Sequence, residues 1–229
     1  MAKKKIEETK KNPKEIIFTV ILSLLIVFLF GATYLEKINK KVELPLPKEG
    51  GELQVDVNIN VENIDDYLNL DNAVYRDMRM LVDEADYENI GGDSYLSGYV
   101  KGFEIVPYPY LVNVTGLPDA VGKPYSGKTL FTVDEDGKYT ANYKESLAIL
   151  EYLFPKDKTI FLMCGGGGYA GMTKSMLVSL GWDKDKIYNT GGYWSYNGEN
   201  KVILKEDENF EYWKAPYHYI DFSLLSEVK

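Results

Sequence analysis

The single cysteine, Cys164, follows the apolar run Thr159–Met163 ("TIFLM") and precedes four consecutive glycines, Gly165 to Gly168, then Tyr169 and Ala170. Thiolate rather than thiol is the nucleophile in cysteine chemistry, and an unperturbed thiol with a pKa near about 8.5 is mostly protonated at neutral pH. Converging backbone N–H groups at a helix N-terminus favour negative charge and can lower that value. Glycines let the backbone curl tightly around a sulfur without Cβ clashes. Such an amide cradle, from Gly165 to Ala170, would also stabilise a persulfide or a bound oxyanion. The alternative is a small buried cysteine that closes a core strand.

Two other loop types share part of this spacing. Gly166, Gly168 and Gly171 satisfy the dinucleotide pattern G-x-G-x-x-G, which a run of four glycines meets almost by construction. The next apolar stretch, "KIYN", ends without the acidic residue that would hold a ribose. A phosphate loop would need lysine directly after Gly171, where Met172 stands, and Lys174 comes two residues too late. "DEDG" (Asp134–Gly137) reads as a turn, since the closing glutamate of a calcium loop is missing. His218, the only histidine, reads as a packing or surface residue. No metal site and no cofactor are expected.

The elements around Cys164 must place it. An apolar strand buried on both faces, followed by a loop and a helix, is a unit of parallel α/β sheets, and ligands bind at the carboxyl end of such strands. The helix pattern sets Met172, Met176, Leu177 and Leu180 on one side, with Gly181 as its stop. Alternation of Leu53, Val55, Val57, Ile59 and Val61 with polar residues predicts a half-buried strand. The spacing of Ile64, Tyr67 and Leu68, with Asn60 as a cap, predicts a helix. "AVYRDMR" predicts a short strand, "KTLFTVDEDGKYTANY" a β-hairpin and "KESLAILEYLF" a helix stopped by Pro155.

With 229 residues and 45% apolar content, one main domain with appendages is expected. Ile16 to Leu35 contain no charge, and twenty residues rising about 1.5 Å each span roughly 30 Å, the thickness of the bilayer core. Residues 16–35 therefore read as an uncleaved transmembrane helix, after a lysine-rich N-terminus (1–15) placed in the cytoplasm. Residues 36–52, with two prolines and a glycine pair, read as a stalk. The following part, facing outside the cytoplasm, carries 20 basic against 32 acidic residues beyond position 35, a balance that repels nucleic acid and anionic lipid. One cysteine there cannot form an internal disulfide.

Residues 159–198, "TIFLMCGGGGYAGMTKSMLVSLGWDKDKIYNTGGYWSYNG", resemble the active-site half of the rhodanese-like (sulfurtransferase) family: apolar strand, cysteine, loop, helix, strand, then Gly191 and Gly192 with an aromatic. Upstream, Asp77 and Arg79 match the family's Asp-x-Arg, and "SGYVKGFEIVP" resembles its glycine-rich element, with Gly98 and Gly102 in register and Tyr99 at the histidine position. The resemblance implies a mainly parallel central sheet flanked by helices over residues 53–200; the aromatic tail, 201–229, reads as an extension that packs on the domain. It further implies that Cys164 attacks a small sulfane-sulfur donor and passes the sulfur to a thiol acceptor. Gly165, Gly166, Gly167, Gly168, Tyr169 and Ala170 would bind substrate, with Asp77, Arg79, Gly98, Gly102, Gly191 and Gly192 in structural support. The loop itself brings no cation. The arginine of His-Cys-x5-Arg phosphatases is replaced by Ala170 and their histidine by Met163, which argues against phosphoryl chemistry. A non-catalytic module that binds a protein or small anion, and a thiol-redox sensor, are the alternatives.

Overall fold

The apolar run at Thr159–Met163 lies in the middle of a four-stranded parallel sheet. The computed structural model describes residues 43–206 and 209–228, and nearly all of these belong to one unit, Pro45–Lys229. In chain order its elements are β1 (Glu49–Gly50), β2 (Val55–Asp56), β3 (Ala73–Asp77), β4 (Gly98–Val100), β5 (Glu104–Ile105), α1 (Tyr108–Leu111), β6 (Phe131–Val133) and β7 (Tyr139–Ala141). There follow α2 (Ser146–Leu153), β8 (Thr159–Cys164), α3 (Gly168–Ser179), β9 (Ile187–Gly192), β10 (Lys201–Ile203), β11 (Lys205–Glu206) and β12 (Asn209–Phe210).

The central sheet runs in the order β5-β3-β8-β9, all parallel, so the fold is a mixed α/β one. Side chains alternate across a strand, and the two faces differ accordingly. Tyr75, Phe161 and Tyr188 occupy matching register positions on β3, β8 and β9, and their rings stack in a row with centroids 5.1 and 5.0 Å apart. On the opposite face Ile160, Leu162 and Cys164 join Leu150 and Leu153 of α2 and Ala170, Met176 and Leu177 of α3 in one core. Trp182 closes that core and donates its indole N–H to the Phe154 carbonyl at 2.6 Å. Burying a large apolar side chain contributes about 1.5–3 kcal/mol, so these layers supply most of the driving force for folding.

α2 ends at Leu153, ahead of Pro155, and α3 ends before Gly181, whose φ of +94° is the left-handed conformation expected after a helix. The hairpin β6–β7 forms across Asp134–Gly137. Downstream of Gly198 the chain packs back: β10 pairs antiparallel with β4, Tyr217 bridges to Ile105, and Ile220 is buried in the core.

Two expectations are corrected. Leu53 to Val61 do not form one strand, because the buried carboxylate of Asp56 accepts backbone N–H groups from Lys48, Asn58 and Ile59 and turns the chain after two residues. Gln54, at φ +58°, adds a second break, so Leu53 and Val57 are about half exposed while Ile59 is fully buried. The helix expected next is a single 3-10 turn, Ile64–Tyr67. Asn60 caps no longer helix: its side chain accepts from Glu62, and Asn63 accepts from the Asn60 amide, local bonds that compete with helical ones.

The segment expected as stalk enters this unit from Pro45, with Glu49–Gly50 paired to Val55–Asp56. Among the described residues no helix is long and apolar enough to cross a membrane; the span expected at 16–35 lies outside them.

Candidate functional site

Cys164 ends β8, where β9 gains one residue. Leu162 pairs with Asn189 but Cys164 pairs with Gly192, so β9 carries a bulge, with Gly191 at φ +94°. A bulge bends its strand and re-aims the residues beyond it. Here it brings Gly192 against the cysteine loop so closely that a Cβ on Gly192 would stand 2.6 Å from the Gly166 Cα. Gly192 is thus required by backbone contact and Gly191 by its positive φ.

The loop curls as its glycines allow. Gly167, at φ +104°, donates its N–H to Cys164 Sγ at 3.0 Å, and the Ala170 amide also points to the sulfur. Beyond it α3 begins, its N-terminal end directed at the thiol. Asn189, fully buried, holds the loop from behind. Its side-chain amide donates to the carbonyls of Gly167 (3.0 Å) and Leu53 (2.7 Å) and accepts from the Gly191 amide (3.0 Å). Lys174, buried on α3, pairs with Glu49 at 2.8 Å and fastens the same N-terminal segment.

Asp77 and Arg79 form a fork-to-fork pair, with Arg79 Nε 3.0 Å and Nη2 2.5 Å from the two carboxylate oxygens. Both side chains are buried, and Arg79 Nη2 also donates to the Gly98 carbonyl at 2.7 Å. The guanidinium lies over the Tyr193 ring at 4.3 Å. Gly98 is needed because a Cβ would run into the Tyr193 hydroxyl and the Val202 carbonyl. Gly102 serves a turn at φ +99°. Arg76, the other arginine, pairs with Glu104 at 2.5 Å, and His218 Nε2 lies 2.9 Å from the same carboxylate, away from Cys164.

In front of the thiol opens a cavity of about 760 Å³. Cys164, Gly165, Gly166, Gly168 and Tyr169 line it; Gly167 and Ala170 are not part of its lining. Its walls are aromatic. The Trp194 ring lies on Gly165, the Trp194 backbone N–H donates to the Gly165 carbonyl, and Tyr87 packs on Trp194 with ring centroids 5.6 Å apart. Tyr87 donates its hydroxyl to that of Tyr169 (2.7 Å), which donates to Asp83 (3.0 Å), so the Tyr169 side chain is tied to a carboxylate within the wall. The Tyr108 ring lies 5.2 Å from that of Tyr169.

The electrostatics are those of an acidic, partly apolar cleft. Glu52, Asp83, Asp93, Asp134 and Glu135 line it, and Arg79, already paired, is the one cation among the described lining residues. Burial pushes the Cys164 thiol above its usual range; the Ala170 and Gly167 amides oppose this, Asp77 adds to it, and Arg79 opposes it. Burial likewise raises the Asp83 carboxyl against its hydrogen bonds from Ala85 and Tyr169.

Cys164, its loop and the Asp77–Arg79 pair stand out in the sequence, and the fold gathers them at the carboxyl end of β8. Trp194, Tyr87 and Asp83 do not stand out. The aromatic after Gly191–Gly192 is a partial signal for Trp194, whereas nothing in the tyrosine-rich stretch marks Tyr87. Among the described residues no group of three or more His, Cys, Asp or Glu could hold a metal ion. No protein-family model matches the chain, and no curated protein and no solved structure matches it.

Proposed function

We propose that the chain is a membrane-anchored, extracytoplasmic rhodanese-like protein in which Cys164 carries sulfur as a persulfide. The supporting observation is the hydrogen bond from the Gly167 amide to Cys164 Sγ at 3.0 Å, in a strand-to-helix loop that opens on a cavity. A second sulfur bound to Sγ would extend into that cavity, with the α3 N-terminus favouring its negative charge. The order of the motifs supports the same reading, with the Asp77–Arg79 pair at the end of β3, beside β8. Anchorage rests on the uncharged stretch 16–35, and the export of the domain on the lysines before it.

In the proposed reaction Cys164 Sγ attacks the outer sulfur of a sulfane donor, the donor's S–S bond breaks, and a thiol acceptor later removes the outer sulfur from Cys164. Asp77 and Arg79 hold the ends of β3 and β4 in place around the loop. A second reading, a module that binds a ligand without sulfur transfer, is favoured by one observation: burial raises the thiol pKa, which withholds the thiolate.

Exposing the full-length protein to thiosulfate, a polysulfide and organic persulfides, followed by intact-mass measurement, separates the two. One added sulfur that disappears in Cys164→Ser supports transfer; no adduct with any donor leaves the binding module.

A further inference from the structure

We propose that the sulfur donor admitted to this cleft bears an ammonium group, so that Cys164 takes sulfur from a cationic organic persulfide rather than from an anion such as thiosulfate. The inference rests on the sulfur-transfer reading and names the donor class of the same site.

Charge comes first. Five carboxylates line the cavity, and the charge of Arg79 is already matched by the buried Asp77. A dianion entering past Asp134 and Glu135 at the mouth meets like charge, and the glycine loop supplies amides only. At a few ångströms and an effective dielectric of about 20, each unit of like charge opposes binding, and each opposite unit favours it.

The walls agree with the charge. Tyr87, Tyr108 and Trp194 line this partly desolvated space, and aromatic rings attract organic cations that reach their faces. Lysine, the abundant cation of this sequence, is absent from the described cavity lining.

A second observation points to a ligand next to the thiol. Arg79 Nη1 and Trp194 Nε1 are buried and have no hydrogen-bond partner, although both residues line the cavity and the Arg79 side chain is only 7% exposed. Buried donors without an acceptor are costly and rare. Both atoms are shielded from solvent, so a ligand meets them only where the wall gives way; the lone pairs of a persulfide would then satisfy them without the double charge of thiosulfate.

The step balances without an external oxidant. The Cys164 thiolate attacks the outer sulfur of R–S–SH, a Sγ–S bond forms and the donor's S–S bond breaks. Its electron pair leaves on the inner sulfur, which takes the proton that Cys164 released. Cys164–S–SH and R–SH result.

The full-length protein at low ionic strength is offered cysteamine persulfide, 3-mercaptopropionate persulfide of the same chain length and opposite charge, or thiosulfate. Addition of one sulfur to Cys164 is timed by intact mass, with Cys164→Ser as the control. The expected result is loading by cysteamine persulfide about tenfold faster than by either anion, a ratio that shrinks with added salt. It should also shrink in the double variant Asp134→Asn, Glu135→Gln, whose two positions are exposed on the hairpin. Equal rates, or faster loading by an anion, overturn the charge selection and leave sulfur transfer standing. No sulfur on Cys164 from any of the three overturns sulfur transfer and this inference together.

Discussion

The indole of Trp194 rests so closely on Gly165 that a Cβ at position 165 would stand 2.5 Å from its Cε2 atom. Gly165→Ala must therefore displace the ring or the loop. A destabilisation of about 1–3 kcal/mol is expected, as for other overpacked sites, together with a shift in tryptophan fluorescence. Adding Trp194→Ala should recover part of the loss. Denaturant titrations of the single and double variants measure that coupling, and strictly additive losses would show that the contact is not the cause.

The Asp77–Arg79 pair is buried, so removing one partner strands a charge. Arg79→Ala should cost about 3–5 kcal/mol, and Asp77→Asn should be comparably harmful. Replacing both should cost less than the sum of the two, and chemical denaturation followed by circular dichroism reads all three.

Asn189 holds two carbonyls and one amide at the back of the loop. Asn189→Leu, similar in volume, leaves the Gly167 and Leu53 carbonyls without this donor, and a loss of about 1–3 kcal/mol follows. Hydrogen exchange should accelerate first at the loop amides around Gly167 rather than in β3. Uniform acceleration through the whole sheet would argue against this local role.

Because burial raises the Cys164 thiol, alkylation by a small neutral reagent should rise with pH and reach its midpoint above the range of an ordinary thiol. Alkylation at neutral pH should be slow in the folded protein and faster in denaturant, where the burial is lost. A midpoint below about 8.5 would mean that the amides dominate over burial.

Alkaline stability follows the tyrosines. Burial pushes Tyr188, Tyr193 and Tyr196 up to about 12, and Tyr87, Tyr108 and Tyr169 upward as well. The neutral phenol is thus favoured in the folded state, so the contribution is complete below the unfolded value of about 10 and is lost as pH rises through the folded values. Thermal midpoints should be flat up to about pH 9.5 and fall steeply beyond. Tyrosinate absorbance should lag behind that of the unfolded chain.

The sheet is readable in the sequence where burial on two faces produces continuous apolar runs, as at Ile160–Met163. α2 and α3 are readable from their stops at Pro155 and Gly181. The region Leu53–Tyr67 misleads because its alternation is produced by turns: Asp56 accepts three backbone amides, a tertiary arrangement that no period-2 pattern reveals. At the site, the chemistry-bearing positions Cys164, Asp77 and Arg79 stand out by residue type and spacing. The walls do not, because Tyr87, Asp83 and Trp194 come from separate stretches and meet only through the fold.

The four glycines of the loop are not interchangeable. Gly165 and Gly166 face the indole, and Gly167 is held at a positive φ against Val55. Only Gly168 among them has ordinary room, with Leu53 Cδ2 3.9 Å from where its Cβ would lie, and it borders the cavity. For a designer wishing to retrofit this scaffold for anions, Gly168 is therefore the loop doorway through which an arginine could enter at least steric expense, while its three predecessors are walled in by neighbours.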